Sequence, residues 1–371
     1  MSALRPFRLL LSVVVCSPWF LHPSALAIDK LEIGSAAPKL SVEHWIQKGN
    51  GKFSEVTQFE KGRVYVIEFW ATTCGPCVQS MPHLAELQTK FADKGLQIVS
   101  ISNEPLKAVT SFLQNRIRLP NGQESTIDEV TKGYCLTTDP DGSSEIDYLL
   151  AAEQDSIPSA FVVGKDGKIE WIGHPMEMEP IVEAVLQDRW DRASYMADQK
   201  LLQEARTTVR LLARNKQFLQ AAEAIDGFIT RTKEKRLVFG LHKSKIDMLI
   251  LGNADSTTLE QSHKQLFDLY RDEPLFVQDV AWGVFERYAS GDLDNKGIVS
   301  LAADAVEKSL AKSTGAEKAN MFDTLARLQH ALERIDLAIA AQTNAVQLSD
   351  GSDQGAFKDF LNELIAEKAN K

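Results

Sequence analysis

Seven residues, Val64-Tyr65-Val66-Ile67-Glu68-Phe69-Trp70, form an almost unbroken apolar run rich in β-branched and aromatic side chains. Such a run predicts a strand buried on both faces, as in a parallel sheet. Met81, Leu84, Leu87 and Phe91 then recur at helical spacing, so the pattern predicts a helix from Gly75 to about Ala92 that stops at Gly95. Leu96 to Ile101 is a second buried strand, which completes a βαβ unit. Beyond it the pattern predicts a helix over Pro105 to Leu113 and a polar, turn-rich insertion over 114–133. A short strand from Tyr134 to Thr138 closes on the turn Asp139-Pro140-Asp141-Gly142, and residues 145–154 read as helical. Ala160 to Gly164 and Lys168 to Gly173 flank Lys165-Asp166-Gly167, a β-hairpin signal, and a helix follows over about 179–187. Residues 28–60, with Gly34, Pro38, Gly49 and Gly51, read as a lead-in of short turns.

From about residue 190 the period changes to helix throughout. Candidate helices lie near 196–214, 217–231, 241–251, 257–270, 276–289, 297–312, 316–331, 334–348 and 355–369, joined by short polar turns that favour antiparallel hairpins. The pair 316–348 has the grammar of a tetratricopeptide unit, with Phe322, Leu325, Ala326, Ala338 and Ala345 at the large and small packing positions. Gln329 and Gln342 stand where aromatics are usual, and no constant period links this pair to the weaker echo at Phe218, Ala221 and Phe228. Degenerate repeats and an irregular helical bundle both remain open.

The chain has 371 residues, 44% of them apolar, enough for two domains with cores of their own. Its first residues change the picture. Arg5 and Arg8 precede an apolar stretch from Leu9 to Leu21 that is short for a membrane span, and Ala25-Leu26-Ala27 is an A-x-A cleavage signal. This predicts a signal peptide over 1–27 and a protein exported to the periplasm; the alternative is an uncleaved N-terminal anchor. Cleavage removes two positive charges and takes the net charge from −10 to −12. An acidic chain without a basic run gives no electrostatic reason to bind nucleic acid.

Cleavage also leaves three cysteines, Cys74, Cys77 and Cys135. A disulfide-stapled scaffold would use a larger, even number, so two cysteines separated by two residues read as a redox pair and the third as a leftover. The thiolate is the attacking species in disulfide exchange. At the start of a helix, unpaired backbone N–H groups and the helix dipole favour negative charge on Cys74. Cys77, one turn on, is covered and placed to attack the mixed disulfide that Cys74 makes. Gly75 permits the tight turn, Pro76 suits the first helical turn, and Pro82 inside the helix is expected to kink it. A lone C-x-x-C also suits half a zinc site, but no second one exists in the sequence. Dithiol exchange is carried by the side chains themselves, so no cofactor and no metal are called for. Cys135 reads either as a buried inert thiol or as a regulatory or intermolecular disulfide partner. His83 reads as a surface residue.

The segment Phe69-Trp70-Ala71-Thr72-Thr73-Cys74-Gly75-Pro76-Cys77, followed by Pro82, resembles the thioredoxin active-site segment. Ile33-Gly34 with Ala37-Pro38, Ile157-Pro158-Ser159-Ala160-Phe161-Val162-Val163 and Lys165-Asp166-Gly167-Lys168 are similar to extracytoplasmic thioredoxin-like reductases of the TlpA/ResA group. The resemblance covers about residues 30–187. It implies an α/β thioredoxin fold, a central mixed sheet flanked by helices, over 28–190; it does not extend to the helical half, which the periodicity reads as an all-α helical-hairpin domain over 195–371. It implies that Pro158 is a cis-proline facing the redox pair and that Ile157 offers its backbone to an extended substrate beside Thr73, Gly75 and Pro76. It also implies that Glu68, six residues before Cys74, is the buried acid that exchanges a proton with Cys77; the alternative is an acid at a strand edge facing solvent. Thr73 departs from the family, which usually has Trp there, and so diminishes the apolar lip around Cys74. The related peroxidases need a Thr three residues before the cysteine, where this chain has Ala71. Copper-handling relatives add a late His, here His174, to two cysteines of wider spacing.

Taken together, the expected function is thiol-disulfide oxidoreductase, in the reducing direction, on disulfide-containing exported proteins, with electrons relayed by a membrane partner. The helical half is expected to bind a protein partner or another copy of the chain, leaving Gln329, Gln342 and Asn344 for a groove or rim. The alternatives are a helical-repeat scaffold with a secondary redox role, and a disulfide isomerase or oxidase.

Overall fold

The computed structural model describes residues 30–119, 122–349 and 354–370, so the leader expected over 1–27 lies outside the described residues. The chain divides into two compact units, one ending at Arg192 and the other beginning at Ala193. In chain order the first unit runs through β1 (His44–Lys48), β2 (Val64–Phe69), α1 (Gly75–Phe91), β3 (Leu96–Ser102), α2 (Leu106–Phe112), β4 (Arg116–Arg118), β5 (Glu124–Thr126), α3 (Ile127–Thr131) and β6 (Cys135–Thr138). It continues through α4 (Ser143–Glu145), extended by a π-helical turn over Ile146–Leu150, then β7 (Ser159–Val163), β8 (Ile169–Gly173) and α5 (Glu179–Leu186).

Six strands form one mixed sheet in the order β1-β6-β3-β2-β7-β8. β2, β3 and β6 run parallel, whereas β7 is antiparallel to β2, β8 to β7 and β1 to β6. This is the expected thioredoxin-like sheet. Every residue of β2 and β3 is buried, as their apolar runs require. Tyr65, Ile67 and Phe69 of β2 pack with Val99 and Ile101 of β3, Phe161 of β7 and Tyr148 on one face. The other face belongs to α1. There Gln88 donates to the Leu96 carbonyl at 2.9 Å and accepts from the Ile98 N–H at 2.7 Å, which ties the helix to β3. Gly95, at φ 95°, ends the helical stretch in the left-handed region and returns the chain to β3.

Three readings of the pattern need correction. The lead-in contains a strand: β1 pairs with β6 from His44↔Thr138 to Lys48↔Cys135. It carries no clean alternation because it is a half-buried edge strand with an irregular register between Trp45 and Gln47. The insertion is ordered as an antiparallel β4–β5 pair followed by α3, whose start Thr126 caps by accepting the Glu129 N–H. The helix expected over 241–251 begins earlier and spans Lys235–Leu251, because Glu234 caps it there by accepting the Arg236 and Leu237 N–H groups. After α5 the chain turns. Asp188 has φ 56°, and Lys165 reaches the Leu186 carbonyl at 2.9 Å and the Asp188 carboxylate at 2.8 Å, so the helix end is capped and the chain turns. Beyond the turn, Arg192 and Trp190 converge on the buried Glu170 carboxylate, with Arg192 Nε at 2.7 Å and Trp190 Nε1 at 3.0 Å.

The second unit is all helical among the described residues: α6 (Arg192–Arg214, whose first residue closes the first unit), α7 (Phe218–Ile229), α8 (Lys235–Leu251), α9 (Ser256–Tyr270), α10 (Pro274–Ser290), α11 (Lys296–Ser309), α12 (Gly315–Ala331), α13 (Ile335–Leu348) and α14 (Gln354–Ala369). None of the described helices is long and apolar enough to cross a membrane. In the α12–α13 pair, Leu325, Ala326, Ala338 and Ala345 are buried as expected and Phe322 is half-buried. Gln329 and Gln342 are also buried, so they do not line a rim; of the three polar residues assigned there, Asn344 alone is exposed. Gln342 replaces an aromatic because its amide has partners inside the unit, donating to Asp323 Oδ1 at 2.9 Å and to the Phe357 carbonyl at 3.1 Å. Asp323 in turn pairs with Arg327, whose guanidinium lies 4.3 Å from the Phe360 ring centroid.

Candidate functional site

Strand β2 delivers the chain to a short loop, Ala71-Thr72-Thr73, that turns into α1. Cys74 is the N-cap of that helix: its Sγ accepts the Cys77 N–H at 3.2 Å, and its carbonyl accepts the Val78 N–H at 3.2 Å. Gly75 and Pro76 occupy the first helical turn and are exposed. The helix runs without interruption through Pro82. Cys74 and Cys77 are joined by a disulfide. The two sulfurs are not equivalent, since Cys74 is partly exposed and Cys77 is 1% exposed. An incoming reagent therefore reaches Cys74 first.

The Ile157–Pro158 peptide bond is cis. It brings the Ile157 carbonyl to 3.7 Å from Cys74 Sγ across 83 positions of sequence. Pro158 is buried and Ile157 half-buried. Thr73, Gly75 and Pro76, next to Cys74 in the chain, are exposed, and the Ile157 carbonyl approaches the same sulfur from a distant part of the sequence.

Glu68 is buried within the sheet, so it is not a solvent-facing edge residue. It lies opposite Ser100 on β3 and Ala160 on β7. Strand alternation places it on the face away from Tyr65, Ile67 and Phe69, which is the face covered by α1 and its buried Cys77. One carboxylate oxygen accepts from the Ser100 hydroxyl; the other, Oε1, has no partner. Loss of hydration pushes the Glu68 carboxyl from 4.5 up to about 8, only partly offset by the Ser100 hydrogen bond. An acid that titrates near 8 can take and return a proton in the range where a thiol does.

Glu104, just beyond β3, was not singled out by the sequence pattern. Its carboxylate accepts the Thr72 N–H at 2.7 Å, the Thr72 hydroxyl at 2.6 Å and the Ser102 hydroxyl at 3.0 Å. These bonds brace the loop that presents Cys74. No local motif marks this role, because the contact joins positions 32 residues apart. Trp70 is buried and packs on Phe112 at a centroid distance of 5.9 Å, so it supports the loop from below the surface.

The remaining candidates fall away from the pair. Cys135 is fully buried on the Tyr65 face, and burial pushes its thiol up to about 11 despite a contact from Gln97 Nε2 at 3.4 Å. It is held neutral, as the inert reading requires. His83 is half-buried, with Nε2 sealed from solvent, rather than on the open surface. His174 caps a 3-10 turn, accepting the Met176 N–H at Nδ1 at 3.3 Å. Among the described residues no group of three or more His, Cys, Asp or Glu is placed to hold a metal ion.

Residues 32–186 match the family model described as Redoxin. Protein FixW of Rhizobium leguminosarum is 26% identical over 166 residues, which are 45% of this chain and 71% of that protein. Thiol-disulfide oxidoreductase ResA of Bacillus anthracis is 29% identical over 143 residues, 38% of this chain and 69% of that protein. ResA of Bacillus subtilis is 25% identical over 163 residues, 43% of this chain and 78% of that protein. Among solved structures, a putative thiol:disulfide interchange protein DsbE from Chlorobium tepidum shares 22% identity, with a TM-score of 0.33, over 42% of this chain and 99% of that one.

Proposed function

We propose that this thiol-disulfide oxidoreductase, whose residues 32–186 form a Redoxin domain, works as a reductase of disulfides in exported proteins. The observation that carries the reading is the asymmetry of the pair: a reachable Cys74 at the helix N-terminus above a sealed Cys77. In the reduced protein the Cys74 thiolate attacks a substrate disulfide. A Cys74–substrate disulfide forms and one substrate thiolate leaves. Cys77 then gives its proton to Glu68 and attacks Cys74 Sγ, which releases the second substrate thiolate and closes the Cys74–Cys77 disulfide. The extended substrate lies along Ile157 and Pro158, over Thr73, Gly75 and Pro76. A membrane partner returns the two electrons. The expected leader over 1–27 supports an extracytoplasmic site of action, where such substrates exist.

The second unit, from Ala193, is assigned to partner recruitment. Exchange at Cys74 needs no helical domain, whereas holding a protein substrate nearby raises the effective concentration of its disulfide. A fragment of residues 30–192 should reduce a small-molecule disulfide at the full-length rate, within about twofold, and the natural protein substrate at least about tenfold more slowly. Stopped-flow rates on both substrates check this. Equal losses on both, or none on either, would remove the recruiting role; failure of the full-length protein on both substrates would remove the reductase reading.

A further inference from the structure

The face of the sheet beneath α1 holds, besides Glu68, another buried polar group without a hydrogen-bond partner. Ser100, the neighbour of Glu68, pairs on its other side with Leu136 of β6. Tyr134 lies two residues before Leu136, and its carbonyl accepts the Gly49 N–H at 3.1 Å, so it continues the line of β6. Cys135 between them faces the Tyr65 cluster. Alternation therefore turns Tyr134 to the same face as Glu68. Tyr134 is fully buried, and its hydroxyl has no hydrogen-bond partner. Glu68 Oε1, also buried, has none either. Buried polar atoms without partners are uncommon and each calls for an explanation. Glu68 Oε1 and the Tyr134 hydroxyl share one face, together with Trp70 Nε1, which can only donate; burial, and after it the charge of Glu68, raises the Tyr134 ionisation.

The surroundings leave few other groups that could serve. α1 contributes Cys77; β3 contributes Ser100, already bonded to the other oxygen; β7 places Ala160 opposite Glu68; and Trp70, next on this face after Glu68, carries a buried Nε1–H that can donate but cannot accept from a protonated acid. No charged side chain contributes to the raised Glu68 pKa, which burial sets against the single Ser100 bond.

We propose that Tyr134 is a positioning residue for the Glu68 proton, its hydroxyl linked to Glu68 Oε1 through one buried water. The inference rests on Glu68 being the proton acceptor for Cys77. A tyrosine hydroxyl both donates and accepts, so it can satisfy either state of the acid. Through the water it donates to the ionised carboxylate before the resolving step. As Cys77 attacks, its proton passes to Glu68, its sulfur bonds to Cys74 Sγ, and the substrate thiolate leaves with the electron pair. The water and the hydroxyl then rotate to accept from the newly protonated acid. Without it, the carboxylate loses one donor and Glu68 holds its proton more tightly.

The test is the pH dependence of the resolving step in the full-length chain, measured with a small-molecule disulfide for wild type, Glu68→Gln and Tyr134→Phe. Glu68→Gln should abolish the midpoint assigned to Glu68. Tyr134→Phe should keep a midpoint but raise it by about one pH unit, the effect of one hydrogen bond to a charged group. The infrared carbonyl band of protonated Glu68, identified by its loss in Glu68→Gln, should shift in Tyr134→Phe. A wild-type midpoint and an unmoved band in Tyr134→Phe, with Glu68→Gln behaving as stated, would overturn the role of Tyr134 alone. Persistence of the wild-type midpoint in Glu68→Gln would overturn the role of Glu68 itself, and that of Tyr134 with it.

Discussion

In Cys77→Ser the reaction should stop halfway. The attacking thiolate of Cys74 remains, so a substrate disulfide is opened and a Cys74–substrate disulfide forms, but the thiol that resolves it is gone. The mixed disulfide should accumulate and survive non-reducing electrophoresis, to be released by dithiothreitol. Cys74→Ser should trap little, because Cys77 is 1% exposed and cannot be reached by a protein disulfide. Both substitutions should lower turnover by at least about three orders of magnitude, since each removes a group on which the whole cycle depends. Their distinct products, rather than their similar rates, assign the roles. Rapid release of substrate by Cys77→Ser, or efficient trapping by Cys74→Ser, would reverse the assignment.

Glu68→Gln should separate stability from activity. The Glu68 carboxyl is raised from 4.5 to about 8 in the folded protein. Between those values the folded chain keeps a proton that the unfolded chain has released. The native state then binds more protons, so stability is fully present below about pH 4.5 and declines as pH rises towards 8. Glutamine carries no such linkage. At pH 7 the variant should be more stable than wild type by on the order of 3 kcal/mol, with the difference vanishing near pH 4. Denaturant unfolding of the oxidised proteins at several pH values reads this. Exchange should move the other way, slowing by roughly 10²-fold near pH 8, where wild-type Glu68 is part ionised and able to accept the Cys77 proton. A variant that is no more stable at pH 7, with an unaltered rate profile, would mean that the acid neither suffers burial nor serves the thiol.

Much of this arrangement could be read from residue order. β2 and β3 stand out because their side chains are buried along their whole length, and Glu68 is the one charged residue in either strand. Cys74 and Cys77 stand out because their spacing and the helix that follows define one chemistry. The helices of the second unit were legible from period alone, except that α8 begins at Lys235, six residues before the start expected at 241. What could not be read depends on partners distant in sequence. β1 has half-buried side chains and an irregular register, so its strand character comes from pairing with β6 rather than from its own pattern. Gln342 looked like a surface amide until Asp323 and the Phe357 carbonyl supplied its hydrogen bonds. Whether Glu68 faced solvent or the interior was undecided until Ser100 and Ala160 flanked it. Glu104 and Tyr134 were invisible for the same reason: one reaches back 32 residues to Thr72, and the other meets the site only through the β3–β6 register.

The central claim is that the pair runs in the reducing direction. Strongly oxidising members of this chemistry owe their potential to a heavily stabilised attacking thiolate. Here one backbone donor, the Cys77 N–H at the helix N-terminus, reaches Cys74 Sγ. The deciding measurement is the equilibrium reduction potential of the Cys74–Cys77 pair in a glutathione or dithiothreitol redox buffer. The account predicts a value near that of thioredoxin, about −270 mV; a value less negative than about −180 mV, towards the isomerases and oxidases, would contradict it.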